Sequence, residues 1–230
     1  MIDFLCNLNL LPLVLTIGTY QVGLSLRKKW KHPLCNPLII SIFLIIPVLL
    51  ITKFPIEKYQ SGVEILSFFL TPCTVCFAIP LYQQLKILKK NVVAILVGIG
   101  AGTITALSSI AVLCGLFALD NQLTVSLLPK SITTAIGLVL SQQNGGIEGL
   151  TAIAIFITGI SGSLCGSSLC KLLGLRNPIA QGVAMGTASH IMGTSKAAEM
   201  SDLAGAVSST SLTISGILTA VLFPLVLKLL

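Results

Sequence analysis

Lys130 is the single charge between Asp120 and Glu148, in the stretch Leu127-Leu128-Pro129-Lys130-Ser131-Ile132-Thr133-Thr134. A lysine near the centre of a bilayer costs about 3 kcal/mol even on lenient insertion scales, so its presence there needs a reason. Pro129 lacks a backbone donor and tends to break or kink a helix. A break followed by Ser131, Thr133 and Thr134 reads as a helix N-terminus, whose unpaired N–H groups and dipole attract negative charge. Lys130 would add a full positive charge. The chemistry these residues suit is binding of a small anion at membrane depth. The bland alternative is a lysine snorkelling to an interface from a shorter helix, since Asp120 is only ten residues away. The flanking hydroxyls favour binding.

A second polar stretch is Ala188-Ser189-His190-Ile191-Met192-Gly193-Thr194, followed by Lys196 and Glu199. Histidine changes charge near neutral pH, so His190 at membrane depth is a candidate proton carrier or substrate ligand. Ser189, Gly193 and Thr194 would share that site. Lys196 and Glu199 stand three apart, a spacing that pairs them on one helix face, and Glu199 is a candidate to tune His190. The alternative is an amphipathic interfacial stretch with His190 hydrogen-bonded inside the bundle. A third stretch, Thr71-Pro72-Cys73-Thr74, would supply an opposing uncharged helix break through Pro72 and Thr74; an ordinary proline kink is an equal reading. Cys73-Thr74-Val75-Cys76 has CxxC spacing but no second pair, so the cysteines read as packing residues and no metal is expected. No nucleophile triad and no phosphate loop occurs, so neither an enzyme, a cofactor nor ATP-driven transport is expected.

The elements that must position these groups follow from composition. The chain is 54% hydrophobic and 9% charged, with mean hydropathy +1.00, against roughly 25% charged residues in a soluble domain. Charge-free runs at 4–26, 32–52, 65–85, 91–119, 149–170, 177–195 and 203–227 mostly reach the ~20 residues of a spanning helix. The expected fold is therefore all-α: a polytopic membrane protein of about seven or eight segments with proline-broken or re-entrant helices. Residues 1–230 read as a single integral membrane domain, with N-terminal helices (1–60), two repeat units (61–119 and 120–175), and a polar broken segment plus last helix (176–230). Residues 1–26 read as the first membrane helix, not a cleavable signal, because the basic cluster follows the apolar run.

The net charge of +7 does not point to nucleic acid, because Arg27, Lys28, Lys29 and Lys31, and then Lys86, Lys89 and Lys90, flank apolar runs as the positive-inside rule requires. With both clusters in the cytoplasm and every segment crossing, Lys171 and Arg176 fall outside. At an offset of 57 residues, Leu70, Pro72, Ala78, Ile79, Leu81, Gly102, Leu107 and Leu116 match Leu127, Pro129, Ala135, Ile136, Leu138, Gly159, Leu164 and Leu173. Such repeats build many transporters around a midplane site. The two units are parallel if every segment spans, and inverted if a broken segment is re-entrant.

The motifs Thr71-Pro72-Cys73-Thr74-Val75, Ala78-Ile79-Pro80-Leu81-Tyr82, Leu128 to Thr134 and Gly182 to His190, with Gly193, Thr194 and Glu199, resemble the LrgB/CidB family of bacterial membrane proteins. That family includes the membrane region of the plant plastidial glycolate/glycerate translocator. The resemblance covers nearly the whole chain. It implies a multi-pass protein of the bacterial inner membrane, a homo-oligomer such as a dimer. One implied role is antiholin-like control of murein hydrolase activity and lysis with a small holin-like partner of the LrgA/CidA type. The other is secondary, proton-coupled transport of small monocarboxylates such as pyruvate, glycolate or glycerate. A buried lysine, a membrane histidine and paired broken helices favour transport. The expected substrate ligands are Lys130, Ser131, Thr133, Thr134, Pro72, Thr74, Ser189, His190, Gly193 and Thr194, with His190 and Glu199 in proton coupling.

Overall fold

A computed structural model describes residues 10–30, 37–76 and 78–229. Every regular element among them is a helix. The chain forms two compact units, Met1–Cys76 and Phe77–Leu230.

In the first unit, α1 (Leu11–Trp30), α2 (Pro37–Thr52) and α3 (Ile56–Cys76) follow in order. A Cβ on Gly23 would come within 2.7 Å of the Pro37 Cα, so α1 and α2 approach this closely only because residue 23 is glycine. The Thr16 and Tyr59 hydroxyls lie 2.7 Å apart and tie α1 to α3. Arg27, Lys28 and Lys29 close the last turn of α1, where positive charge meets the negative end of the helix dipole. The expected break at Pro72 is corrected: α3 runs through Pro72 to Cys76, and Pro72 is exposed. The side chain of Thr74 lies outside the described residues. Pro47 in α2 is likewise accommodated inside a continuous helix, so proline alone does not end a helix in this chain.

The second unit contains α4 (Ala78–Gln83), α5 (Leu85–Lys90), α6 (Val92–Leu116), α7 (Asn121–Leu127), α8 (Thr134–Gln143), α9 (Glu148–Leu172), α10 (Pro178–Met200) and α11 (Asp202–Leu229). Among the described residues, three stretches are long and apolar enough to cross a membrane, namely α6, α9 and Asp202–Lys228 of α11.

The helices α7 and α8 form a hairpin. The Thr151 hydroxyl on α9 lies 2.9 Å from the Ser126 carbonyl and 2.7 Å from Ser141 Oγ. Ser126 and Ser141 are thus close neighbours, whereas a continuous helix would hold them ~22 Å apart. The Thr151 hydroxyl thus has its acceptors in the Ser126 carbonyl, Ser141 Oγ and, at 3.2 Å, the Ile147 carbonyl. Ser126 Oγ in turn accepts from the Ile147 N–H at 2.7 Å. Further along, a Cβ on Gly137 would lie 3.4 Å from the Pro129 carbonyl, so the arms stay together to the tip at 128–133. The arms have 7 and 10 residues, about 10 and 15 Å, half of a ~30 Å hydrocarbon core.

The helix α10 also folds back on itself. Its backbone leaves the helical region at Ser189 (φ −134, ψ 21) and His190 (φ 41, ψ −134). Gly193 then packs directly on the Met185 carbonyl, a pair that a straight helix would separate by ~12 Å. Neighbours on α11 agree. Gly182 and Gly186 meet residues 204–208 running the same way, while Thr194 reaches Ser208 and Ala198 reaches Gly205 running the opposite way. The outgoing and returning arms of α10 therefore flank the first turns of α11.

Helix directions follow from the same contacts. Gly98 and Gly102 of α6 meet Val183 and Thr187 in rising order, whereas Gly159, Gly162 and Gly166 of α9 meet His190, Ser189 and Met185 in falling order. Thus α6 and α9 are antiparallel. One end of the unit packs Ile95 and Ile99 against Val207, and the other packs Leu107 against Phe223, so α6 and α11 are parallel. Because 121–143 returns to the end it left, Lys171 and Arg176 lie at the same end as Lys86, Lys89 and Lys90. This corrects the expectation that put them on opposite sides.

Candidate functional site

Ile155 of α9 joins the two hairpin tips. Its side chain packs where a Cβ on Gly137 would stand, 2.6 Å from Cδ1, and its carbonyl accepts from His190 Nε2 at 2.9 Å. Ile155 is buried and lies two turns into α9, so the reversals of both hairpins sit well inside the helix bundle. The neutral His190 ring must carry its proton on Nε2, since a carbonyl can only accept. Its Nδ1 is buried with no hydrogen-bond partner among the described residues.

The first tip carries Lys130. Pro129 and Ile132 are buried, Lys130 is half-buried and Ser131 is buried. Lys130 Nζ donates to Ser131 Oγ at 3.3 Å, and no ion pair to Lys130 occurs among the described residues. Thr133 is the residue before α8, extended at ψ 143, and its side chain makes no cap bond. The first-turn N–H groups of α8 therefore start at the tip, next to Lys130, as the sequence predicts. Thr134 is exposed.

The second tip carries Ser189 and His190, both buried. A positive φ with ψ near −134 is glycine territory, and holding a histidine there costs on the order of 1–3 kcal/mol. The fixed positions of neighbours maintain it. Gly159 leaves room for the imidazole and Gly162 for Ser189. The His190 carbonyl accepts from Thr194 Oγ1 at 2.9 Å, and Thr194 Oγ1 lies 2.9 Å from Ser208 Oγ. Gly193 lets the returning arm pass the Met185 carbonyl. Ser189, His190, Gly193 and Thr194 thus form one constellation. Glu199 does not join it: it pairs with Lys196 at 2.9 Å on an exposed face, ~13 Å further along the arm. The Lys196–Glu199 pair is as the spacing predicts.

Several polar residues escaped the sequence reading. In the last helix, Ser208, Ser211, Ser215 and Thr219 are all buried along one face of α11. Their spacing of three, four and four is the helical stripe that could have revealed them. Ser211 and Ser215 return their protons to the Val207 and Leu212 carbonyls, which lowers the cost of burying them. Thr103 of α6 and Thr187 of α10 are buried with hydroxyls lacking a partner among the described residues. The lock formed by Ser126, Ser141 and Thr151 was also missed, because its members lie far apart in sequence.

Apolar helices long enough to span, two helical hairpins too short to span, and polar groups gathered at their tips define a multi-pass helical membrane protein with an interrupted interior. The profile of the LrgB-like family matches residues 16–229. The chain is 35% identical over 219 residues to the holin-like protein CidB of Staphylococcus epidermidis, covering 95% of this chain and 96% of that protein. It is 33% identical over 221 residues to YwbG of Bacillus subtilis, an uncharacterized protein, covering 96% and 98%. It is 35% identical over 217 residues to YxaC of the same organism, also uncharacterized, covering 94% of each. No solved structure matches it. The chain belongs to the LrgB-like family, as the motifs predict, and is a multi-pass bacterial membrane protein.

Proposed function

We propose that this chain acts in holin-linked control of the bacterial envelope, as an antiholin-like regulator of murein hydrolase activity and lysis with a small holin-like partner. Family membership and the holin-like name of the Staphylococcus epidermidis relative support this reading. The chain would work as one integral membrane domain and as a homo-oligomer.

A specific observation favours a second reading, secondary transport of small monocarboxylates such as pyruvate, glycolate or glycerate. Both hairpin tips seat on Ile155, bringing the helix N-terminus beside Lys130 and the His190 constellation to one stretch of α9. Lys130, Ser131, Thr133 and the first-turn N–H groups of α8 would bind the carboxylate. Ser189, His190 and Thr194 would contact the keto or hydroxyl oxygen, and His190 would carry the coupled proton. The first reading can follow from the second if carboxylate flux sets the state of the envelope.

Proteoliposomes loaded with the purified protein and supplied with labelled pyruvate or glycolate separate the two. Saturable uptake abolished by Lys130→Ala supports transport. Absence of uptake, with lysis control in cells unchanged by Lys130→Ala, leaves the regulatory reading alone. Uptake that persists at the wild-type rate in Lys130→Ala sinks the binding role of that lysine.

A further inference from the structure

We infer that the second unit is an inverted-topology pair, in which residues 92–143 and 149–200 repeat one motif, a spanning helix followed by a half-depth hairpin, inserted from opposite faces of the membrane. The offset between the two copies is 57 residues, and three of the eight sequence matches at that interval, Gly102 with Gly159, Leu107 with Leu164 and Leu116 with Leu173, fall within them, all on α6 and on α9 with its C-cap. It carries α6 onto α9 and the first hairpin, 121–143, onto the second, 178–200. Asp120 and Asn177, one offset apart, are each the N-cap of their hairpin: Asp120 accepts from the Leu123 N–H and Asn177 from the Ile179 N–H. The glycines Gly102 and Gly159, also one offset apart, both receive α10 side chains.

Inversion follows from direction. The helices α6 and α9 are antiparallel, so the hairpins that follow them start from opposite ends of the unit. Their tips converge on Ile155 from those two ends. This is how half-helices meet at a midplane site in transporters whose two halves are related by a pseudo-two-fold axis in the membrane plane.

Charge then orients the pair. Lys86, Lys89, Lys90, Lys171, Arg176 and Lys196 lie toward one end of the unit, and Lys228 toward the other. The positive-inside rule counts lysine and arginine and puts the first end in the cytoplasm. Asp120 and Glu148, at the base of the first hairpin, then face outward. The hairpin bearing Lys130 enters from outside and the hairpin bearing His190 enters from the cytoplasm. On the transport reading, on which this last step rests, a carboxylate meets Lys130 from outside and the His190 hairpin on the way in.

Single cysteines at Asn121, Asn144, Arg176 and Asp202, with the native cysteines replaced by alanine, test the pair in cells. The readout is labelling by a membrane-impermeant maleimide before and after permeabilisation. The same substitutions in the native-cysteine chain, corrected for the parent signal, guard against a folding defect in the cysteine-free one. Positions 121 and 144 are expected to label in intact cells, and 176 and 202 only after permeabilisation. Labelling of 121 and 144 from opposite faces, or of 176 and 202 from opposite faces, overturns the hairpins and the inversion. The same pairing with the faces exchanged overturns the orientation. Lys130→Cys adds the access test: an anionic thiosulfonate applied outside is expected to modify it, and modification only from inside, or from neither side, overturns the assigned route. The expected labelling pattern in a protein that moves no carboxylate leaves the inverted pair standing and removes the transport reading alone.

Discussion

Gly159→Ala perturbs the most crowded part of the second hairpin. The added methyl would stand 2.6 Å from His190 Cε1 and Nε2 and 2.7 Å from Met192 Sδ. Methionine can swing aside, but the imidazole is held by its 2.9 Å bond to the Ile155 carbonyl and by the backbone reversal at its own Cα. Overpacking of this kind costs about 1–3 kcal/mol, and loss of the His190–Ile155 bond adds about 1 kcal/mol. Replacing a mid-helix glycine returns about 0.5–1 kcal/mol, so net destabilisation is about 1–3 kcal/mol. Gly100→Ala is the matched control: it too is mid-helix, and a Cβ there meets nothing within 4 Å. That variant is expected to gain about 0.5–1 kcal/mol. At about 2–4 °C per kcal/mol for a chain of this size, the two unfolding midpoints separate by roughly 3–16 °C. Thermal unfolding in detergent, followed by tryptophan-independent far-UV circular dichroism, reads the difference. Equal midpoints would refute the seating of His190 against Gly159.

Thr151→Val removes the hydroxyl joining Ser126 to Ser141 and is expected to cost about 1–3 kcal/mol, with amide exchange quickening across 121–143 and not across α11. Asp120→Ala deletes the 2.7 Å cap on the Leu123 N–H and is expected to lower stability by about 1 kcal/mol, rescued by Asp120→Asn. Lys196→Ala breaks a partly exposed ion pair and is expected to lower stability by less than about 1 kcal/mol; a large loss would show that Lys196 has a further structural role.

The helical class, the three long apolar helices and the polar stretches at Lys130 and His190 were legible because hydropathy, charge and helix propensity are local. The break beside Lys130 was also legible, through proline followed by hydroxyl residues. Its twin was not. Ser189-His190 contains neither proline nor glycine, and the reversal there is imposed by α9, whose Gly159 and Gly162 admit the two side chains. Pro72 erred the other way, since a proline promises a break that a helix in an apolar setting can absorb through neighbouring groups. The fold-back of 121–143 rests on Ser126, Ser141 and Thr151, which no periodicity connects. The glycines at 98, 102, 159, 162 and 166 all face α10, and nothing local in the sequence marks α10 as the element received on both sides.

The two hairpins have a consequence for how this membrane topology can be read at all. Counting each hairpin as a crossing commits two errors of parity that cancel. The direction of α6 and α11 comes out the same under either count, and only α9 is reversed. A reporter fused after α11 therefore returns one answer for two different architectures. The information lies in the short turns at 144–147 and 173–177, which change sides together.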